Sequence, residues 1–320
     1  SELTLGARWY DIEVDFEGSA NSSFYNGFGA PDTQQFGSNL SAQYAPGNAN
    51  GYPDKAKTDG TIGKVTYSWN PSDDVMYYVT WSEGFRPGLL NRPVGASNAA
   101  GTYSVKPEVK SDEVTNTEFG WKTILKDGQL RFNGSVFMID VEGLQSTIFD
   151  PSIVNLFFSD NAEDGDIKGV EGDFTYFANK EGLTIAGAFS LLDTELTKKL
   201  VPTDDVVVGS DMAFAPGMQF NLRARQEWGM SNGNIGHAQV QLTHSDDSFS
   251  DIMEPNKAVQ SSYSTIDLRF GISNDDMTAE LYIDNVTDER GEISNTFVFD
   301  RQRVSYIRPT TVGIRYKKNF

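Results

Sequence analysis

Along most of this chain apolar and polar residues alternate one by one. Val75, Tyr77, Val79 and Trp81 share one parity, with Met76, Tyr78, Thr80 and Ser82 between them. Near the C-terminus Val312, Ile314, Tyr316 and Phe320 alternate with Gly313, Arg315, Lys317 and Asn319 in the same way. Successive side chains of a strand point to opposite faces, so each such segment predicts a strand with one apolar face. The pattern gives twelve of them: 2–16, 61–69, 75–85, 111–124, 130–144, 167–178, 183–195, 218–229, 235–245, 262–273, 277–286, and a last one from 303. In the first, Leu3, Leu5, Ala7 and Trp9 lie on one parity but Ile12, Val14 and Phe16 on the other. That switch near Tyr10 and Asp11 predicts a bulge, because one extra residue reverses the facing of everything after it.

The connections fall into two kinds. Five are short and carry the Asn, Asp and Gly that tight hairpins require, as in Lys126-Asp127-Gly128 and Ser231-Asn232-Gly233-Asn234. Six are long: 17–57, 86–107, 146–166, 196–217, 246–261 and 287–302. Short and long alternate strictly. A soluble sandwich has no reason to lengthen every second connection, whereas an outer-membrane barrel has short periplasmic turns and long extracellular loops. The expected fold is therefore all-β, an antiparallel transmembrane β-barrel with the six long loops outside. Its final strand stops on a bare aromatic and needs both edges held, which a barrel provides by pairing its last strand with its first.

Composition fits that picture. Mean hydropathy is -0.42, and no apolar run approaches the ~20 residues of a spanning helix, but a spanning strand needs only ~9–11, half of them apolar. Cysteine is absent, which excludes disulfides, thiolate metal sites and a cysteine nucleophile. The 45 acidic residues outnumber 26 basic ones, and the resulting charge of -19 argues against nucleic acid as a partner. The stretch Ser1 to Leu5 has no basic segment followed by an apolar core, and resembles the inside of a strand. The natural polypeptide is expected to begin well upstream.

A series of short segments resembles the TonB-dependent outer-membrane receptors. They are Ser82-Glu83-Gly84-Phe85-Arg86-Pro87-Gly88, Lys106-Pro107-Glu108, Glu118-Phe119-Gly120-Trp121-Lys122 and Ile167-Lys168-Gly169-Val170-Glu171-Gly172. Ile283-Asp284-Asn285-Val286-Thr287-Asp288 and Arg308-Pro309-Thr310-Thr311-Val312-Gly313-Ile314-Arg315-Tyr316, with terminal Phe320, complete it. Their order and spacing over 60–320 carry the resemblance. It implies a 22-stranded barrel around a plug, of which this chain would be the C-terminal twelve strands, the plug lying outside the sequence. It also implies an active transporter with no enzymatic role, importing a scarce large solute with energy relayed by TonB. A ferric siderophore is the expected cargo, and an oligosaccharide or vitamin the alternative. The barrel-assembly machinery would read Val312, Ile314, Tyr316 and Phe320, although Lys318 breaks the apolar parity. Lipopolysaccharide and outer-membrane lipid would surround the barrel of a Gram-negative bacterium. The rival reading is a complete 12-stranded passive porin or autotransporter-like translocator.

Candidate site residues follow from side-chain chemistry. Arg86 and Arg92 lie just past a strand end, where guanidinium forks suit an anionic chelate. Phe24, Tyr25, Tyr44 and Tyr52 stand among Gly, Asn and Ser in loop 17–57 and could stack on catechol or sugar rings. Asp160, Glu163, Asp164 and Asp166 form a dense carboxylate run in loop 146–166, the oxygen-rich kind of site calcium requires. No other cofactor is expected. His237 and His244 are seven apart on one strand, so they face opposite ways and cannot share a metal.

Overall fold

Twelve strands pair in chain order into one antiparallel sheet in the computed structural model, which describes residues 1–15, 55–91, 97–150, 152–178, 182–298 and 301–319. Strands β1 (Glu2–Asp15), β2 (Lys55–Ser72) and β3 (Val75–Arg86) come first. A loop carrying the two-residue pair β4 (Leu89–Leu90) and β5 (Glu108–Val109) then leads to β6 (Asp112–Leu125). Next are β7 (Leu130–Asp150), β8 (Val154–Phe177), β9 (Leu183–Lys199), β10 (Met218–Gly229) and β11 (Ile235–Ser245). The pair β12 (Ser248–Phe249) and β13 (Val259–Gln260) precedes β14 (Tyr263–Ser273) and β15 (Met277–Asp284). A separate hairpin, β16 (Glu292–Val298) with β17 (Arg301–Tyr306), precedes β18 (Thr311–Lys318). The sheet order is β1-β2-β3-β6-β7-β8-β9-β10-β11-β14-β15-β18.

The two faces of this sheet have opposite chemistry. Leu5, Val65, Phe119, Val136, Val240, Phe270 and Leu281 share one face and all are exposed, as are Val312, Ile314 and Tyr316 at 64, 78 and 60%. In a soluble protein such a surface would be a very large apolar patch; facing lipid it is the expected one. The other face is polar and hydrogen-bonded across strands. Thr66 meets Thr80 at 2.9 Å, the Tyr78 hydroxyl donates to Glu118, and Asn133 donates to Asp173 at 3.1 Å. That face is the lumen wall.

Close packing within the wall comes from aromatics laid over glycines. Tyr78 covers Gly120, Trp121 covers Gly134 and Tyr282 covers Gly313, and in each case a Cβ on the glycine would fall inside the ring's space. These glycines are required for close approach rather than for turning the chain.

Four expectations are corrected. The register of β1 with β2 runs unbroken from Glu2 opposite Ser68 to Asp15 opposite Lys55, so no bulge exists at Tyr10 and Asp11. The apolar parity switches because β1 leaves the lipid: its outward positions change from Leu5 and Trp9 to Asp11, Glu13 and Asp15. The last two are held by Lys55 at 2.6 and 3.2 Å, and Asp11 by Lys57 at 3.5 Å. Segment 146–166 is not a loop, since β7 and β8 run through it and are joined across 151–153. Residues 303–306 belong to the β16–β17 hairpin, and the last wall strand begins at Thr311. Strand β2 begins at Lys55, inside the expected loop 17–57.

The five short turns lie at one end of the sheet, and the long connections and the β7–β8 extension at the other. Among the described residues β1 and β18 are not paired with each other and form the two edges.

Candidate functional site

Above the wall the long connections fold onto one another. Val105, Ile148, Phe158, Leu196, Val206 and Met253 come from six different segments and are buried together, each at 2% exposure or less. Burying a side chain of this size contributes roughly 1.5–3 kcal/mol, so these loops hold a common core of their own. The main chains are linked as well: Glu254 donates to the Asp205 carbonyl at 2.8 Å and Phe214 to that of Phe249 at 2.7 Å.

Three side-chain amides staple the 87–111 loop to the β7–β8 extension. Asn91 donates to the carbonyls of Lys106 and Ser159 at 2.9 and 2.6 Å, and accepts from the Ser159 N–H at 2.7 Å. Asn161 donates to the Lys110 and Gly143 carbonyls and accepts from the Lys110 N–H. Gln145 reaches the carbonyls of Pro87 and Lys110, both at 2.9 Å. An amide carries donors and an acceptor in one plane, so each satisfies backbone groups that no strand partner reaches.

Arg86 ends β3 and is held by Asp112, the first residue of β6. Its guanidinium is bonded through Nε at 2.7 Å and through Nη2, yet the side chain stays 55% exposed. Arg92 and the aromatics Phe24, Tyr25, Tyr44 and Tyr52 lie outside the described residues, as does Phe320.

The four carboxylates of the expected calcium site stand on strand β8 and are taken up separately. Asp160 accepts from the Tyr103 hydroxyl and from the Asn161 N–H at 2.8 Å, with Lys106 Nζ at 3.5 Å. Burial, with the Asp160 bond and charge, pushes the Tyr103 hydroxyl pKa up. Asp164 accepts from the Gly143 N–H at 2.7 Å and faces Lys198 at 3.4 Å, while Asp166 has Lys168 at 4.0 Å. Glu163 is wholly buried, and the Ser146 hydroxyl donates to its Oε1 at 2.5 Å. Its Oε2 is buried without a partner. Burial pushes its pKa up to about 7, with Asp164 and Asp251 adding and Ser146 and Arg86 opposing. Among the described residues no three Asp, Glu or His are arranged to hold a metal ion.

The lumen wall carries a second set of charged groups. His237 Nε2 lies 3.1 Å from Glu280, whose other oxygen is 3.4 Å from Arg315, and Arg269 binds Asp284. His244 sits on the opposite face of β11, between Ser264 at 2.8 Å and Asp246 at 3.0 Å. The two histidines do face apart.

A polar wall, an apolar outer face and long loops consolidated at one end are the parts of an outer-membrane β-barrel. The family model for the TonB dependent receptor-like β-barrel matches residues 2–286. The chain belongs to that family.

Solved structures share the fold of this receptor barrel at low identity. The ferric yersiniabactin uptake receptor FyuA from Yersinia pestis superposes with a TM-score of 0.66 at 17% identity, over 83% of this chain and 38% of its own. The siderophore receptor PiuA from Acinetobacter baumannii gives 0.65 at 17%, over 98% and 40%. The ferric-catecholate import receptor Fiu from K12 E. coli gives 0.65 at 15%, over 98% and 41%. The chain thus spans about two-fifths of the length of these structures. No curated protein sequence matches it. Receptor barrels of this family lie in the outer membrane, cross it by strands and are not enzymes; no helix among the described residues is long and apolar enough to cross.

In this receptor barrel the sequence pointed to Arg86 but not to the acid that holds it. Asp112 opposes Arg86 through the β3–β6 register, 26 residues away, and nothing local in the sequence announces that pairing. The amide staples were equally hidden. A signal for Asn91 and Asn161 existed only in their being amides amid long polar connections.

Proposed function

We propose that the whole receptor imports a ferric siderophore across the outer membrane of a Gram-negative bacterium, energised through TonB. One observation carries the reading: the long connections form a buried common core over a polar wall. Such a roof supports selective capture of a solute at the outer end of the barrel. Arg86, whose side chain is half exposed, and Arg92 would meet the anionic groups of the chelate, and Phe24, Tyr25, Tyr44 and Tyr52 would stack on its rings. A plug domain outside this chain would supply the TonB contact and block the lumen. Val312, Ile314, Tyr316 and Phe320 would be recognised during barrel assembly, and the apolar face would then meet lipid and lipopolysaccharide. The cargoes of FyuA and Fiu, ferric yersiniabactin and ferric catecholates, support siderophore over oligosaccharide or vitamin. The rival 12-stranded pore needs β1 paired with β18, and among the described residues both are edges.

The test is uptake of radioactive iron by iron-starved cells, with and without the receptor gene, supplied with purified siderophores. Receptor-dependent, TonB-dependent uptake is expected. Uptake of maltodextrin or cobalamin in place of iron would replace the substrate, and uptake independent of TonB would replace the mechanism.

A further inference from the structure

His244, Asp246 and Ser264 form a hydrogen-bonded chain on the outer face of the wall that import does not use. His244 Nε2 lies 3.0 Å from the Asp246 carboxylate, and its Nδ1 lies 2.8 Å from the Ser264 hydroxyl. A carboxylate only accepts, so it fixes the proton on Nε2 and leaves the Nδ1 lone pair facing the Ser264 O–H. Acid, imidazole and hydroxyl in that order are the groups that activate a serine. The register of β11 with β14 sets His244 opposite Ser264, and the Phe220 ring beside the imidazole, 5.2 Å between centroids, steadies its plane. His244 is largely covered, whereas Ser264 is exposed and open to a substrate.

The serine also has a donor for the charge its attack would create. The Val286 N–H donates to the Ile266 carbonyl, so the even-numbered backbone groups of β14 point toward β15. The β14–β15 ladder starts only at Leu268 opposite Ile283, which leaves the Ser264 N–H with no strand to meet. The nucleophile's own N–H is one of the groups that stabilise a tetrahedral oxyanion. Ser264 heads a row on the apolar face in which Ile266, Phe270 and Ile272 are exposed. The eight residues from Ser264 to Ile272 span about 26 Å of strand, or about 20 Å across a membrane at ~40° tilt, against an apolar band ~25 Å tall. Ser264 therefore stands at the outer boundary of the hydrocarbon, the level of lipid ester carbonyls.

We propose that His244, Asp246 and Ser264 hydrolyse a long-chain acyl ester presented by the outer leaflet, an activity additional to import. Ser264 Oγ attacks the ester carbonyl as its proton passes to His244 Nδ1, and Asp246 stabilises the imidazolium that forms. The Ser264 N–H meets the oxyanion. The C–O bond to the alcohol then breaks, and the proton on Nδ1 goes to the leaving oxygen. Water attacks the acyl-serine next and gives a proton to Nδ1. The acyl–Oγ bond breaks, Oγ regains that proton, and the fatty acid leaves.

The test treats purified full-length receptor in detergent micelles with a fluorophosphonate, which labels activated serines, and assays p-nitrophenyl palmitate hydrolysis. Wild type, S264A, H244Q and D246N are compared. Mass spectrometry should find the label on Ser264, and hydrolysis should be at least about 100-fold slower in S264A and H244Q. Asp246 acts only through the imidazole, so D246N should lower kcat and leave KM unchanged. Unchanged heat-modifiability on gels shows that each variant is folded. No label on wild-type Ser264, or equal hydrolysis by folded wild type and S264A, would overturn the site.

Discussion

Asp112 holds Arg86 at the junction between wall and roof, accepting its backbone N–H at 3.0 Å and its Nε at 2.7 Å. The Gln145 N–H reaches the same carboxylate at 3.3 Å, and Asp112 is 1% exposed. Asp112→Ala leaves buried donors without an acceptor and should cost about 2–3 kcal/mol of local stability. Arg86→Ala leaves the buried Asp112 carboxylate with backbone N–H donors alone and should cost a similar amount, about 2–3 kcal/mol. Hydrogen exchange of the 87–111 loop and of β7 near Gln145 in the folded protein measures both. Equal, wild-type protection in Asp112→Ala would show that the junction does not hold the roof.

Glu163 makes the roof sensitive to pH. Its carboxyl is buried, has one oxygen without a partner, and titrates near 7 in place of the usual 4.5. The groups facing it are Ser146 on β7, Asp164 on β8, Asp251 in the 246–262 loop and Arg86 at the end of β3. Because the folded pKa is raised, the folded state holds a proton that the unfolded state gives up. The favourable contribution is complete below about pH 4.5 and is lost as pH rises through about 7. Protease resistance of the loops should fall between pH 5 and pH 8 in the wild type, and Glu163→Gln should flatten that fall. A flat wild-type profile would refute it.

The aromatic-on-glycine contacts make a size prediction. A methyl at Gly120 would enter the Tyr78 ring, whereas a methyl at Gly84 meets nothing within 4 Å. Gly120→Ala should therefore destabilise the folded barrel by about 1–3 kcal/mol and Gly84→Ala far less. Urea unfolding of the full-length receptor in detergent gives the comparison, and equal effects would remove the packing argument.

Adjacent residues of β18 should respond oppositely to charge. Ile314 is 78% exposed on the apolar face, and Arg315 faces the lumen beside Glu280. Ile314→Lys should cost about 2–4 kcal/mol if that position lies near the bilayer midplane, and Arg315→Gln under about 1. Folding yield into lipid vesicles reads the difference.

What could be read from the sequence was whatever lipid and tight turns impose locally. Below the rim one face must be apolar, so Leu5, Val79 and Ile314 declare the strand and its facing at once. Turn residues such as Asp127 and Gly128, both at positive φ, declare the hairpins. Above the rim both faces meet water or protein, and the two-residue rhythm disappears. That is why Asp160 to Asp166 read as a loop although β8 runs through them, and why β1 imitated a bulge. The charged partners were hidden for another reason. Asp112 with Arg86 is set by register between strands, which a single sequence does not display.

The central claim is that this wall crosses the outer membrane with its long connections outside and its short turns inside. This chain has no cysteine, and in a receptor carrying no other cysteine each introduced thiol reports its own position. In the full-length receptor, Asp204→Cys lies in the long 200–217 loop and Asn232→Cys in the short β10–β11 turn. A membrane-impermeant maleimide applied to intact cells should label the Asp204→Cys protein at once, and the Asn232→Cys protein only after the outer membrane is permeabilised. Labelling of both in intact cells, or of the turn alone, would contradict the account.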